Sequence, residues 1–297
     1  MLLLDLSGVA CAKPITLYYE GNHPPIEDVR NAMIGDIQTY EKLYTKTFGR
    51  MVVCIDSKPY WRSKVQPAYK QSRTKAKAKS DIDWDAFGAD VNQIHKDLVE
   101  YSNYIVIDIK GAEADDVIAV LAEYASSQGE PSVIISSDKD MLQLQTRHKD
   151  VHQFSPNRNK LLTLENTDYD LLTHILKGDV SDCIPNVFSP DNHFMIEGAK
   201  PRQKSITKGI IAEVREYYPD NLSKCSLMLI GDVEKRFKQN RELIDTTFTP
   251  KDLQDTIIRK YLSASKANQE HRIDELLSDF DSEEGDFEGV DASEVRL

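Results

Sequence analysis

The sequence predicts an α/β fold, a mainly parallel sheet flanked by helices and followed by a helical region, and three observations carry that prediction. Short apolar runs, MLLL, MVVCI, YIVI and SVII, alternate with long amphipathic stretches, the spacing of strand–helix–strand units. Most of these runs end on acids, Asp5, Asp56 and the pair Asp138 and Asp140, and in open α/β sheets ligands gather at the carboxyl ends of the strands. After about residue 165 the strand signal fades and helical periodicity takes over.

In chain order the pattern reads strand (about 1–6), helix (25–47), strand (50–56), basic linker (58–80), helix (83–101), strand (104–108), helix (113–127) and strand (131–136). Helical stretches follow in DYDLLTHILKGD and SITKGIIAEVREYY, and near 231–245 and 251–268. The stretch 185–203, rich in Pro, Gly and Asn, is a loop between two of them. The expected domains are a core at 1–165 that includes the segment 58–80, a helical lobe at 166–268, and a disordered acidic tail at 269–297.

A net charge of −12 argues against nucleic acid as a partner until its distribution is considered. Residues 274–297 hold ten acids against Arg296 alone, a net of −9, which leaves −3 for residues 1–273. Local sign is therefore the useful quantity. The four cysteines show no CxxC spacing, which fits a reduced cytoplasmic setting better than disulfides or zinc. No apolar run approaches a membrane span or a signal peptide. The expectation is a monomer with no membrane attachment.

Nine carboxylates fall in five clusters: Asp5; Asp56; Glu113, Asp115 and Asp116 in GAEADD; Asp138 and Asp140 in SSDKD; Asp179 and Asp182 in KGDVSD. A lone aspartate at a strand end is commonly a cap or turn acid, but caps do not explain five clusters at once. Like charges gathered at one sheet edge raise one another's pKa, and hard divalent ions with oxygen ligands, Mg²⁺ or Mn²⁺, are the natural counter-charge. That chemistry points to two-metal phosphoryl transfer.

Residues 58–79 hold eight basic side chains and no acid: Lys58, Arg62, Lys64, Lys70, Arg73, Lys75, Lys77 and Lys79, interleaved with Tyr60, Trp61 and Tyr69. Bases stack on aromatics and phosphates follow basic groups, so the composition suits single-stranded nucleic acid. A solvated basic loop is the plainer alternative; the position two residues after Asp56 favours the clamp. Lys200, Arg202, Lys204 and Lys208 lead into SITKGIIAEV, either an ordinary helix start or a phosphate site. The histidines show no metal-ligand spacing.

The order D-x-S, CID-SKPYWR, AYK-x-x-R, EADD, IISSDKD and KGDVSD-x-IPNV resembles the 5′-nuclease superfamily of flap endonucleases and 5′→3′ exonucleases, and within it the ribonucleases H of T-even-type phages. The resemblance runs from residue 1 to about 265. It implies a PIN-like core with two Mg²⁺ ions, for which Mn²⁺ would substitute, and a C-terminal helical lobe with a helix-turn-helix-like element. Asp5, Asp56, Asp115 and Asp138 would surround the first metal. Asp140 and Asp182 would face the second, with Glu113, Asp116 and Asp179 holding water ligands. Lys70 and Arg73, the expected catalytic cations, match the family's Y-K-x-x-R in a helical arch or bridge that the 5′ end passes under or through. The composition of the basic segment and the basic helix start, independently of the resemblance, make Lys58, Arg62, Lys64, Tyr69, Lys75, Lys77, Lys204 and Lys208 candidate nucleic-acid contacts.

The family's G-I-G-x-K-T-A turn after IPNV is replaced by a longer segment, and Asp5 arrives earlier than in phage members. The implied function is removal of RNA primers and 5′ flaps in lagging-strand synthesis, on branched or 5′-ended DNA and RNA–DNA hybrids. A PIN-type ribonuclease on structured RNA and a non-catalytic DNA-binding scaffold are the alternatives. A tail of net −9 either keeps the protein soluble or holds the basic segment in check, the plainer reading, or, through Leu276, Leu277, Phe280 and Phe287, serves as a docking peptide for a sliding clamp or single-strand-binding protein.

Overall fold

Leu2–Asp5 forms the first strand, β1, and all four of its residues are buried. It lies at the centre of a six-stranded sheet with β2 (Met51–Cys54), β3 (Ile105–Ile107), β4 (Ser132–Ile135), β5 (Val151–Ser155) and β6 (Lys160–Leu162), in the order β3-β2-β1-β4-β5-β6. Every pairing is parallel except that of β5 with β6. The computed structural model describes residues 1–196 and 202–266, with the backbone alone for 75 and 76; the expected acidic tail lies outside the described residues. No described helix is long and apolar enough to cross a membrane.

Because side chains alternate along a strand, Leu2 and Leu4 face one layer and Leu3 the other. The first layer packs Leu2, Leu4, Val53 and Ile135 against Met33, Ile34, Ile37 and Phe48 of helix Ile26–Phe48 and Ile94 and Leu98 of helix Trp84–Tyr101. The second packs Leu3, Val52, Ile107 and Ile134 against helix Ala114–Ser127 and Ile257 of helix Lys251–Lys266. Each fully buried aliphatic contributes roughly 1.5–3 kcal/mol, so the apolar runs that signal the strands also bind the layers together.

The sheet order places a topological switch between β1 and β4, where connections leave in opposite directions. A crevice for ligands opens at the carboxyl ends of strands at such a point. The helices beside it start cleanly: Asp83 accepts from the Asp85 and Ala86 amides, and Glu113 and Asp116 form a reciprocal capping box at the start of helix Ala114–Ser127.

The chain divides into two compact units, and not at the expected boundaries. Unit one comprises residues 1–57, 81–167 and the chain from 251; unit two comprises 58–80 and 168–250. The basic segment, expected within the core, belongs to unit two, and it contains two short helices, Arg62–Val65 and Gln71–Lys77, where a linker was expected. Helix Lys251–Lys266, expected in the helical lobe, belongs to unit one, where Tyr261 meets Tyr124 edge-on at 5.9 Å. In unit two, Leu172, Ile175, Leu176, Ile184, Val187, Val214, Phe237 and Leu243 form the core.

Candidate active site

The strand ends of unit one gather four of the predicted acids. Asp5 closes β1, Asp56 follows β2, Asp138 follows β4, and Asp115 sits half-buried in the first turn of helix Ala114–Ser127. Each of the three strand-end acids is held by hydrogen bonds. Asp5 accepts from the Gly8 amide at 2.9 Å and from the Ser136 hydroxyl at 2.9 Å. Asp56 accepts from the Ser7 hydroxyl at 2.7 Å and from the Ala114 amide at 3.0 Å. Asp138 accepts from the Asp140 amide at 2.9 Å.

Mutual electrostatics shows that these acids converge. Burial, then the carboxylates of Asp56 and Asp138, pushes the Asp5 carboxyl up to about 6. Burial raises the Cys54 thiol well above its usual range, with Asp5 and Asp115 adding to the shift. An all-oxygen donor set in which neighbouring carboxylates raise the pKa of Asp5 suits a hard divalent cation, which would remove the repulsion. Asp5, Asp56, Asp115 and Asp138 would hold such an ion.

A pH dependence follows. Without metal, Asp5 has a folded pKa near 6 against an unfolded value near 3.8, so the folded state binds more protons in that window and gains stability as pH falls through it. A bound cation needs the same oxygens unprotonated. The rise in melting temperature on adding Mg²⁺ is therefore expected to be large at pH 7.5 and to shrink below about pH 6. Differential scanning at pH 7.5 and 5.0, with Mg²⁺ or EDTA, checks this; an equal shift at both pH values counts against the cluster.

Glu113 and Asp116, expected to hold water ligands, are both buried, and the structure shows them tied to the helix start: the Glu113 amide donates to Asp116 at 2.9 Å. Capping accounts for two of the three EADD acids and leaves Asp115 as the one whose visible role is not a cap. Asp140 lies half-buried in the turn Lys139–Met141 beside Asp138.

Asp179 and Asp182 lie in unit two. Burial alone would raise the Asp179 carboxyl, but hydrogen bonds from His174 and Ser181, the charge on His174 and the Asp182 amide hold it well below the usual carboxylate range. The His174 ring stands 3.1 Å from Asp179. Asp182 receives Arg73 at 2.6 Å and the Tyr69 hydroxyl at 3.3 Å, with Lys70 at 4.0 Å. The Lys70 amide also donates to the Asp182 carbonyl at 3.0 Å. Unit two thus binds the basic pair Lys70 and Arg73 to Asp182.

Several nucleic-acid contacts expected in the basic segment are corrected by burial. Arg62 is 2% exposed and donates to the Leu243 carbonyl at 2.8 Å, so its guanidinium serves the unit-two core. Trp61 and Tyr69 are buried, hence unavailable as stacking platforms. Lys58, Lys64, Arg73 and Lys77 are exposed, as are Lys204 and Lys208; the side chain of Lys75 is not described. Thr207 caps the helix that Lys208 opens, accepting from the Ile210 amide. His174, Ser7, Ser136 and Gln153, none of them expected from the sequence, also touch these acids or the turn that carries them. For Ser7 the D-x-S spacing was a usable signal; for Gln153, on a strand that was itself not anticipated, there was none.

Residues 20–170 match the family described as 5′-3′ exonuclease, N-terminal resolvase-like domain, and residues 165–279 match T4 RNase H, C terminal. The chain is 30% identical over 269 residues to the ribonuclease H of Enterobacteria phage T4, covering 88% of this chain and 86% of that protein. It is 30% identical over 174 residues to a 5′-3′ exonuclease of Buchnera aphidicola, 54% of this chain and 56% of the relative. A bacteriophage T5 flap endonuclease, crystallised with DNA and metal ions, has the same fold at 18% identity, with a TM-score of 0.64 over 90% of this chain and 99% of that one. A T5 5′-exonuclease with bound zinc aligns at 17% identity with a TM-score of 0.63, over 90% of this chain and 99% of that one. The chain therefore belongs to the 5′-3′ exonuclease family, in the branch whose C-terminal part is that of the phage T4 RNase H.

Proposed function

We propose that this 5′ nuclease is a structure-specific 5′→3′ exonuclease and flap endonuclease that removes RNA primers and 5′ flaps during lagging-strand replication. The observation that carries the reading is the convergence of Asp5, Asp56 and Asp138, with Asp115, at the carboxyl edge of a parallel sheet beside its switch point. Two Mg²⁺ ions, for which Mn²⁺ substitutes, would lower the pKa of the attacking water and neutralise the charge developing on the 3′-oxygen leaving group. The chain's own part is to orient the carboxylates. Ser7 fixes Asp56, Ser136 fixes Asp5, and the cap made by Glu113 and Asp116 fixes the helix turn that presents Asp115.

Lys70 and Arg73 are the catalytic cations of this proposal, engaging the phosphate of the 5′-ended strand in exchange for Asp182. Lys58, Lys64, Lys75, Lys77, Lys204 and Lys208 supply positive charge along the nucleic acid. By the family resemblance, Asp140, Asp179 and Asp182 would serve the second metal, with Glu113 and Asp116 acting through the helix start. A PIN-type ribonuclease and a non-catalytic scaffold gain no support, since the chain matches 5′-3′ exonucleases and carries all nine acids.

Arg73 tests the basic segment, being exposed and paired through one guanidinium nitrogen to Asp182. Arg73→Ala is expected to weaken binding to 5′-flap DNA and to reduce the slope of log affinity against log salt by about one unit. An unchanged slope together with unchanged cleavage would leave the segment a strut of unit two.

The function itself is tested by incubating the protein with Mg²⁺ and 5′-labelled flap, nicked, blunt and RNA–DNA hybrid substrates and measuring product lengths. Short 5′ products and flaps released at the junction are expected; random internal cleavage of structured RNA would overturn the reading. The same assay, with the chain truncated after residue 266 and with a sliding clamp or single-strand-binding protein added, tests the tail as their docking peptide. Stimulation lost on truncation, with cleavage of naked flaps intact, is the expected result.

A further inference from the structure

We infer that Gln153, on a strand that carries none of the site's acids, is a positioning residue that clamps the turn after β4 and so keeps Asp138 in place against Asp5. The inference rests on the metal-site reading above. Gln153 lies on β5 beside Ile134 of β4 and is fully buried. Its side-chain amide donates two hydrogen bonds, to the Ser136 carbonyl at 2.9 Å and the Asp138 carbonyl at 2.7 Å. Those bonds grip the turn on both sides of Ser137. Within it the Ser136 hydroxyl donates to Asp5 at 2.9 Å and accepts from the Asp138 amide at 3.2 Å. A continuous chain of hydrogen bonds thus runs from β5 through the turn to the carboxylate on β1. Ser155 adds a second tie from β5, its hydroxyl donating to that of Ser137 at 2.9 Å.

The chemistry of the clamp is specific. Two carbonyl oxygens accept, so only the NH₂ end of the amide can face them, and a carboxylate at 153 would meet them with like partial charge. Among the described residues the remaining Gln153 oxygen is buried with no hydrogen-bond partner. A residue kept only for packing would be better served by an apolar side chain of similar volume, which leaves no orphan acceptor. What the glutamine adds is therefore its two donors. They oppose a definite force, since Asp138 and Asp5 repel each other. A released turn would let Asp138 swing outward, and a metal ion would then have to pull it back. Groups that orient metal ligands in this way commonly carry a tenfold or larger share of metal affinity.

The test uses the full chain and the Gln153→Leu variant, with Mn²⁺ binding followed by calorimetry and the Mn²⁺ dependence of flap cleavage measured alongside. The variant is expected to bind Mn²⁺ about tenfold or more weakly, to recover most of its turnover at saturating Mn²⁺, and to keep the salt slope of DNA binding. Gln145→Leu is the control: it removes a similar amide-to-carbonyl bond, to Leu162 at 2.9 Å, and should leave Mn²⁺ affinity unchanged. A folded Gln153→Leu protein with wild-type Mn²⁺ affinity overturns the inference, as does an equal loss in Gln145→Leu. Should Gln153→Leu fail to fold, Ser136→Ala decides: weaker Mn²⁺ binding restored by Ser136→Thr supports the chain of contacts, and unchanged binding overturns it. A wild-type chain that takes up no Mn²⁺ would overturn the metal-site reading itself.

Discussion

Replacing Asp115 or Asp138 by Asn is expected to abolish cleavage, by about a thousandfold or more, while leaving the fold and DNA binding in place. The magnitude follows from the chemistry: a thousandfold loss corresponds to roughly 4 kcal/mol of transition-state stabilisation, the scale of losing a metal-held nucleophile and its charge neutralisation. The fold survives because Asn keeps the oxygen through which Asp138 accepts from the Asp140 amide, and because Asp115 is half-buried while the reciprocal cap is made by its neighbours Glu113 and Asp116. Binding to flap DNA in Ca²⁺, or without metal, is expected to hold or tighten, since each substitution removes a negative charge from a surface that meets phosphate. Cleavage of a 5′-labelled flap and a gel-shift titration measure the two effects separately. Near-normal turnover in both variants would overturn the assignment of these acids to the metals.

That separation between the site and its supports also explains what the sequence made legible. β1, β2, β3 and β4 were readable because burial on both faces requires an unbroken apolar run, and in a parallel sheet those runs end where ligands bind. Asp5, Asp56 and Asp138 could therefore be placed from position alone. β5 was not readable, because VHQFS breaks the run with His152 and Gln153, and burial of Gln153 depends on carbonyl partners in a turn that is distant in sequence.

The basic segment shows the converse error. Eight cations without an acid suggested an open clamp, but Arg62 folds its guanidinium inward to a carbonyl 181 residues away in sequence. Composition gives the charge of a segment and says nothing of which side chains find partners in the folded state. Boundaries failed for a related reason: a segment inserted between β2 and helix Trp84–Tyr101 can pack with elements from much later in the chain, and no local pattern records that. In EADD, cap and ligand set share one motif, and only hydrogen-bond partners separate Glu113 and Asp116 from Asp115.

Gly178→Ala is expected to be the most damaging single substitution in unit two. Gly178 has φ +65° and ψ −172°, a region populated almost only by glycine. An added Cβ would stand 2.3 Å from the Ile184 carbonyl oxygen and 2.5 Å from that of Pro185, and backbone oxygens cannot rotate away as side chains can. The same turn carries the bridge in which the Ile184 amide donates to the Asp179 backbone carbonyl at 2.7 Å, so relief of the clash must pull apart the loop that holds Asp179 and Asp182. Backbone strain and overpacking together cost roughly 3–5 kcal/mol, against a total stability of about 5–15 kcal/mol for a domain. The melting temperature is expected to fall by more than about 10 °C, and cleavage at a permissive temperature to fall with it, because the loop is also the anchor of Lys70 and Arg73 through Asp182. Gly209→Ala is the matched control: it lies in helix Lys208–Tyr217, where a Cβ meets only the Thr207 hydroxyl at 3.8 Å, and alanine there should be neutral or stabilising by up to about 1 kcal/mol. A Gly178→Ala protein that melts with the wild type would mean that the turn bends freely and does not hold these two acids in place.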